Sequence, residues 1–134
     1  MLVYDLDQKQ SKWSLTGYSQ NNRKKISDYH LRAREILKSI YPTMAILEEV
    51  AFNPRKGQTL YFDFYIPMIN KAIEVHGEQH YKFTPHFHSS PIAFAKQKSR
   101  DKDKMEWCSV NGIDYVELPY NQSEDQWKQA INNG

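Results

Sequence analysis

Apolar residues follow two different rhythms along the chain. Residues 1–27 keep neither and read as a polar leader, in which only Leu2, Val3, Tyr4 and Trp13 are candidates for packing onto the body. From Tyr29 the rhythm becomes helical: Tyr29, Leu31, Ala33, Ile36, Leu37 and Ile40 approximate a 3.6-residue repeat. Ser27 and Asp28 are the candidate N-caps, and Pro42 lies just past the end, biasing Tyr41 towards extended backbone. Three strand-like runs follow. Met44 to Phe52 closes on the turn-forming Asn53-Pro54-Arg55-Lys56-Gly57. Thr59 to Ile66 is almost wholly aromatic and β-branched, the strongest strand signal in the chain. Asn70 to Val75 is reached through the short Pro67-Met68-Ile69 link, so the second and third runs read as antiparallel neighbours.

Residues 76–92 hold no period and read as an irregular functional loop. A helix is expected from Ile92 to Asn111, stopped by Asn111-Gly112, then a strand over Ile113 to Leu118 and a helix from Ser123 to about Asn132. A helix between two strands of one sheet implies a parallel crossover. The predicted order α-β-β-β-α-β-α is an α/β fold, a mixed sheet of about four strands flanked by helices. The organisation expected is a leader, 1–27, followed by one domain, 28–134.

Composition narrows the classes. With 134 residues, 40% of them hydrophobic and 13% aromatic, the chain can bury one core and is not disordered throughout. Cys108 is the single cysteine, which excludes an internal disulfide framework and fits a reducing compartment. No apolar run is long enough for a membrane span, and the start has no signal-peptide pattern; a cytoplasmic protein with no membrane partner is expected. The net charge of +2 does not by itself announce a nucleic-acid partner, so the distribution of charge has to make that case.

The candidate chemistry lies in the acids. Asp63 interrupts an otherwise apolar and aromatic strand, where an unpaired carboxylate costs several kcal/mol, so a site or a cation is expected beside it. Glu74 comes eleven residues later, near the end of the next strand. Paired through the 67–70 turn, the two carboxylates can converge at the open end of the sheet, and a hard divalent cation such as magnesium resolves their repulsion. Such a cation polarises a phosphoryl group and acidifies water, which is what phosphodiester hydrolysis needs.

Past Glu74 the chain reads Glu74-Val75-His76-Gly77-Glu78-Gln79-His80-Tyr81. With Asp63, this segment resembles the core of the PD-(D/E)xK nuclease superfamily, in particular the small branch related to very-short-patch repair endonucleases and phage homing endonucleases. The resemblance implies a restriction-endonuclease-like core in which Asp63 is the strand aspartate and Glu74 the acid of the (D/E)xK motif. His76 stands where most of the superfamily has its lysine, and Gln79 and His80 match positions kept near the scissile phosphate. Leu31-Arg32-Ala33-Arg34-Glu35-Ile36-Leu37 is similar to the first helix of these enzymes, which makes Glu35 a third acid acting on the metal through water; Glu48 and Glu49 compete for that role. Gln97-Lys98-Ser99-Arg100-Asp101-Lys102-Asp103-Lys104 through Val116 resembles the helix–strand unit after the motif, so the likeness spans about residues 28–120.

Charge is distributed to suit that reading. Arg23, Lys24 and Lys25, with Arg32 and Arg34, form one basic cluster; Lys98, Arg100 and Lys104 belong to a second, on the long helix. Both are candidate DNA contacts, and Trp13 and Tyr18 are candidates for stacking on bases or for anchoring the leader. His76, His80, His86 and His88 have spacings that also bind zinc, so a structural zinc ion, or a zinc-dependent hydrolase, stays open beside the main reading. That reading is a magnesium-dependent DNA endonuclease, manganese substituting, with His76, Gln79 or His80 handling water and leaving group. Recognition would come from a homodimer or from the leader and the 81–92 loop, in a bacterial or phage-infected cell. A non-catalytic nucleic-acid-binding module on the same fold, and a small interaction protein with incidental acids, also fit the sequence.

Overall fold

The computed structural model describes residues 1–18, 27–85 and 88–133. Two short strands, β1 (Leu2–Tyr4) and β2 (Gln10–Lys12), pair antiparallel; helix α1 (Asp28–Ile40) follows. Then come β3 (Leu47–Arg55), β4 (Gln58–Ile66), β5 (Lys71–His76), the long helix α2 (Pro91–Val110), β6 (Asp114–Pro119) and α3 (Glu124–Asn133). The main sheet has the order β3-β4-β5-β6, antiparallel except for the parallel β5/β6 pair that α2 connects. The α/β class and the element order from α1 onwards are those the sequence predicts.

Local chemistry sets the boundaries. Ser27 Oγ accepts from His30 N at 3.0 Å and Ser90 Oγ from Ala93 N at 3.2 Å, with Pro91 filling the first turn of α2. Ser123 and Gln126 bond each other's backbone N–H at 3.2 and 2.8 Å, a capping box that starts α3. β3 runs three residues past Phe52, into the predicted turn. Pro54 is tolerated there because β3 is an edge strand whose ladder shifts register between Phe52 and Arg55. The turn itself is Lys56-Gly57, with Gly57 at φ +81°.

Two apolar layers sandwich the sheet. Val50, Phe52, Phe62, Ala72, Trp107 and Cys108 form the core under α2; Ala33, Leu37, Phe64, Ile73, Leu118 and Trp127 form the core under α1 and α3. The described part of the leader is not an appendage. Val3 and Trp13 are buried in the α2-side core, Trp13 packs edge-on to Trp107 at 5.1 Å, and its indole N–H donates to Ala51 O at 2.8 Å. The division at residue 27 is therefore not a boundary between cores. Trp13 is unavailable for base stacking, and the Tyr18 hydroxyl accepts from Ala51 N at 3.1 Å.

One irregularity positions the site. Glu48 turns towards α1 while Val50 joins the core under α2, so the in-and-out alternation of β3 inverts at Glu49, whose φ is +54°. Across the ladder, Phe62 and Phe64 likewise fall in different cores. The pairs Glu48–Phe64 and Val50–Phe62 bracket Glu49 and Asp63, so the inversion leaves Asp63 in neither core. A left-handed backbone at a residue other than glycine carries a cost that regular strands avoid.

Candidate functional site

Asp63 and Glu74 meet as the strand register requires. The antiparallel β4/β5 ladder pairs Phe64 with Ile73, and one step further puts Asp63 opposite Glu74. There the backbone ladder gives way to side chains, and Asp63 Oδ2 accepts from Val75 N at 2.8 Å. Glu74 is buried, and its Oε1 accepts from Lys104 Nζ of α2 at 2.9 Å. Burial, then the neighbouring Asp63 carboxylate, holds the Glu74 pKa well above the ordinary carboxylate value, while Lys104 pulls it down.

A third group enters from α1. His30 and Arg34, one helical turn apart, both reach the buried Glu48. Arg34 grips it with two hydrogen bonds, 2.9 and 2.8 Å, and His30 Nε2 lies 2.8 Å from Oε1. The other ring nitrogen of His30, Nδ1, stands 3.9 Å from Asp63 Oδ1. Above these groups opens a cleft of about 910 Å³, walled by His30, Asp63, Glu74, Gln79, His80, Gln97, Arg100, Asp101 and Lys104.

The histidine segment divides. Gly77 leaves β5 and a single 3₁₀ turn, Glu78–His80, carries Gln79 and His80 into the cleft wall. His80 Nδ1 lies 2.9 Å from Asp101 Oδ2, and its Nε2 is 3.4 Å from the Gln97 amide nitrogen, whose oxygen lies 2.6 Å from His88 Nε2. His76 is buried behind the wall, Nδ1 3.2 Å from Glu117 Oε1, with Glu117 also accepting from the Tyr81 hydroxyl at 2.5 Å. Thus His76 does not line the cleft, and the ammonium that reaches Glu74 comes from α2. Donor atoms of His76, His80 and Asp101 lie within 4.8 Å of one another, a possible metal group. The two rings are stacked, however, 4.1 Å apart and within 10° of parallel, so their in-plane lone pairs do not converge on one point.

Other expected residues are placed elsewhere. Glu35 is exposed and lines a separate shallow hollow with Arg32, Glu124 and Lys128, because the phase of α1 turns it towards α3; the site face of that helix carries His30 and Arg34. Arg34 is spent on Glu48. Arg32 lies over the Trp127 ring at 4.3 Å and donates to Gln122 O at 3.0 Å, so neither is an open phosphate contact. Of the second cluster, Arg100 and Lys104 line the cleft, and Lys98 lies over the Tyr81 and Phe94 rings at 5.4 and 5.8 Å. Arg23, Lys24, Lys25 and His86 fall outside the described residues. Sequence reasoning missed His30 and the bonds that Gln97 and Asp101 make to His80. The i, i+4 spacing of His30 and Arg34, facing an acid on the next strand, was the available signal for the first.

Comparison with known proteins finds viral relatives without an assigned activity. The chain is 43% identical over 61 residues to uncharacterized protein 307L of Invertebrate iridescent virus 6, covering 46% of this chain and 31% of that protein. It is 38% identical over 68 residues to uncharacterized protein 033L of Invertebrate iridescent virus 3, and 38% over 69 residues to uncharacterized protein 094L of Frog virus 3. Each of the latter matches covers 51% of this chain, and 35% and 44% of the two viral proteins respectively, so the chain spans less than half the length of these curated relatives. No family model and no solved structure matches. Among the described residues, no helix is long and apolar enough to cross a membrane.

Proposed function

We propose that the chain is a divalent-metal-dependent nuclease that hydrolyses phosphodiester bonds of DNA at the Asp63–Glu74 pair. The observation that carries this reading is the meeting of two carboxylates on adjacent strands of an open cleft, with Lys104 seated on the buried one at 2.9 Å. The donor set fits a hard cation. Both groups offer oxygen, and Glu74 resists its own charge in a way that a bound dication offsets. When bound, magnesium or manganese supplies Lewis-acid polarisation of the phosphoryl group and a more acidic water.

The chain's own groups then have distinct tasks. The Val75 N–H and the Lys104 ammonium orient the two acids. Against the five carboxylates of the lining, Arg100 and Lys104 are the cations that can meet a phosphate once a metal offsets the acids. Asp101 accepts from His80 Nδ1, so Nε2, which the Gln97 amide nitrogen approaches at 3.4 Å, is the ring nitrogen for proton exchange with the leaving oxygen. Gln79 stands beside it on the same wall. His76, tied to Glu117, holds the wall from behind, and Lys104 takes the part the resemblance gives to the lysine of the motif.

The test is a cleavage panel of duplex, branched and single-stranded DNA with magnesium, manganese, zinc or chelator, running wild type beside Asp63→Asn, Glu74→Gln and Lys104→Met. Metal-dependent scission that all three variants abolish is expected. Binding without scission under every metal points to the binding module, and activity with zinc that survives Asp63→Asn points to the zinc hydrolase.

A further inference from the structure

We infer that the cleft takes unpaired DNA, a single strand or the single-stranded arm of a branch, and that Tyr29, Tyr120 and Tyr81 form the platform on which its bases stack. The inference rests on the reading of the Asp63–Glu74 cleft as a DNA site and adds to it the form of DNA that the site accepts.

The three rings stand in a row. Tyr29 projects from the first turn of α1, Tyr120 follows the end of β6, and Tyr81 follows the 3₁₀ turn that carries His80. Their centroids are 6.4 Å apart from Tyr29 to Tyr120 and 6.1 Å from Tyr120 to Tyr81. Tyr29 and Tyr120 belong to the cleft lining together with Gln79 and His80. Tyr61 is a further ring of that lining, two residues before Asp63 on β4 and so about 7 Å from it along the strand. These side chains are not spent in a core. Tyr29 is 40%, Tyr61 52% and Tyr81 38% exposed, whereas Tyr65, which packs under α2, is 1% exposed. Exposed rings gathered at the mouth of a polar cleft mark a binding surface. The row is also held in place before any strand arrives: Tyr29 lies 6.5 Å from the buried Trp127 ring, and the Tyr81 hydroxyl donates to Glu117 at 2.5 Å.

What a row of tyrosines can hold depends on which base faces are free. In a duplex each base is covered above and below by its neighbours, so a side-chain ring at the rim meets only sugar and phosphate. A single strand offers the π-face of every base. Charge favours the same choice. Among the described residues, Asp28, Asp63, Glu74, Glu78 and Asp101 face Arg100 and Lys104 in the lining. A duplex brings one phosphate charge per about 1.7 Å of axis, twice the density of either strand alone, and binding it draws on many cations. A lining with acids in excess does not supply them. A single strand brings fewer phosphates and obtains the rest of its binding from stacking. Lys98, 5.4 Å from the centre of the Tyr81 ring, sets an ammonium at that end of the row for the backbone of a stacked strand.

The experiment reads affinity and scission separately on the intact protein. Anisotropy titrations in calcium, a hard cation that fills oxygen sites, use a labelled single strand, the same strand in a duplex, and the same strand with abasic nucleotides at its centre. The single strand is expected to bind at least about tenfold tighter than the duplex and to lose most of that margin when its bases are removed. Tyr29→Leu, Tyr81→Leu and Tyr120→Leu keep apolar bulk without a π-face. Each should weaken single-strand binding about fivefold or more and leave duplex binding within about twofold. Tyr81→Phe keeps the ring and should bind the single strand as wild type does, a rescue that a purely structural role of the Glu117 bond would not give. Should Tyr120→Leu fail to fold, the abasic strand on wild type and the exposed Tyr29 still decide. An abasic strand bound as tightly as the normal one, or a duplex bound and cut as well as the single strand, overturns the platform and leaves the nuclease standing. Tyrosine-dependent binding of the single strand with no scission in magnesium or manganese supports the platform and overturns the nuclease. No binding of any of these DNAs overturns both.

Discussion

Arg34→Met is the perturbation whose size the structure fixes best. Arg34 is 12% exposed and Glu48 1% exposed, and two charge-assisted hydrogen bonds of 2.9 and 2.8 Å join them. Methionine keeps much of the side chain's volume and removes both bonds, so the cost falls on the charge of Glu48 and not on packing. Removing one partner of a buried ion pair destabilises by about 3–5 kcal/mol, because the remaining charge stays desolvated. Arg34 keeps some contact with water, which places the expectation at the lower end, about 3 kcal/mol. For a domain of this size that corresponds to a fall of about 10 °C in Tm. Arg34→Lys keeps the charge and loses the two-pronged geometry, so it should fall between wild type and methionine. Urea unfolding followed by tryptophan fluorescence reads both variants, with unchanged m-values as the check that only stability moved. A loss below about 1 kcal/mol for Arg34→Met would refute the claim that this pair holds α1 against β3.

The remaining predictions concern packing, the cleft wall and acid stability. Trp13→Ala removes a buried indole from the α2-side core and should cost about 3–5 kcal/mol in the same urea assay; a loss under 1 kcal/mol would return the leader to the status of an appendage. Gly77→Ala places a Cβ 2.5 Å from the Gln79 side-chain oxygen at an ordinary φ of −74°, so the flexible amide should swing away at little cost in stability while DNA scission slows; unchanged scission would show that Gln79's place on the wall is immaterial. The hydrogen bond to His76, aided by that from Tyr81, holds the Glu117 pKa down at about 2. A depressed acid contributes stability above its unfolded pKa and loses it as pH falls through the folded one, so Glu117 should stabilise the fold above about pH 4.5 and lose that effect towards pH 2. Glu117 is a third exposed, so solvent screens part of this effect, and Glu117→Gln should flatten the acid limb of a Tm-against-pH curve only modestly. An identical limb in both proteins would contradict the assignment.

The fold was legible wherever pattern and chemistry agreed over many residues. The aromatic run of β4, the short link to β5 and the Ser-capped helices each carry several concordant signals, and the Asp63–Glu74 juxtaposition follows from strand period and link length alone. The β1/β2 hairpin was not legible, because strands of three residues are too short to display a period. Helix phase decided the third group. Within α1 the sequence shows an acid and two arginines on neighbouring positions, but only tertiary packing turns His30 and Arg34 to the site and Glu35 to α3. His76 shares the parity of Glu74 along β5, which suggests a common role; Glu117 on the neighbouring parallel strand draws it away from the cleft. The inversion at Glu49, which leaves Asp63 in neither core, depends on one left-handed backbone that no local residue preference announces.

The most direct test of the central claim compares strand-scission rates of wild type and Asp63→Asn on one labelled DNA in manganese, with DNA binding in chelator measured on the same preparations. The account predicts scission only with metal, a loss of at least a thousandfold in the variant, and binding that stays within a few fold. Equal scission by both proteins, or none by a wild type that binds metal and DNA, would contradict it.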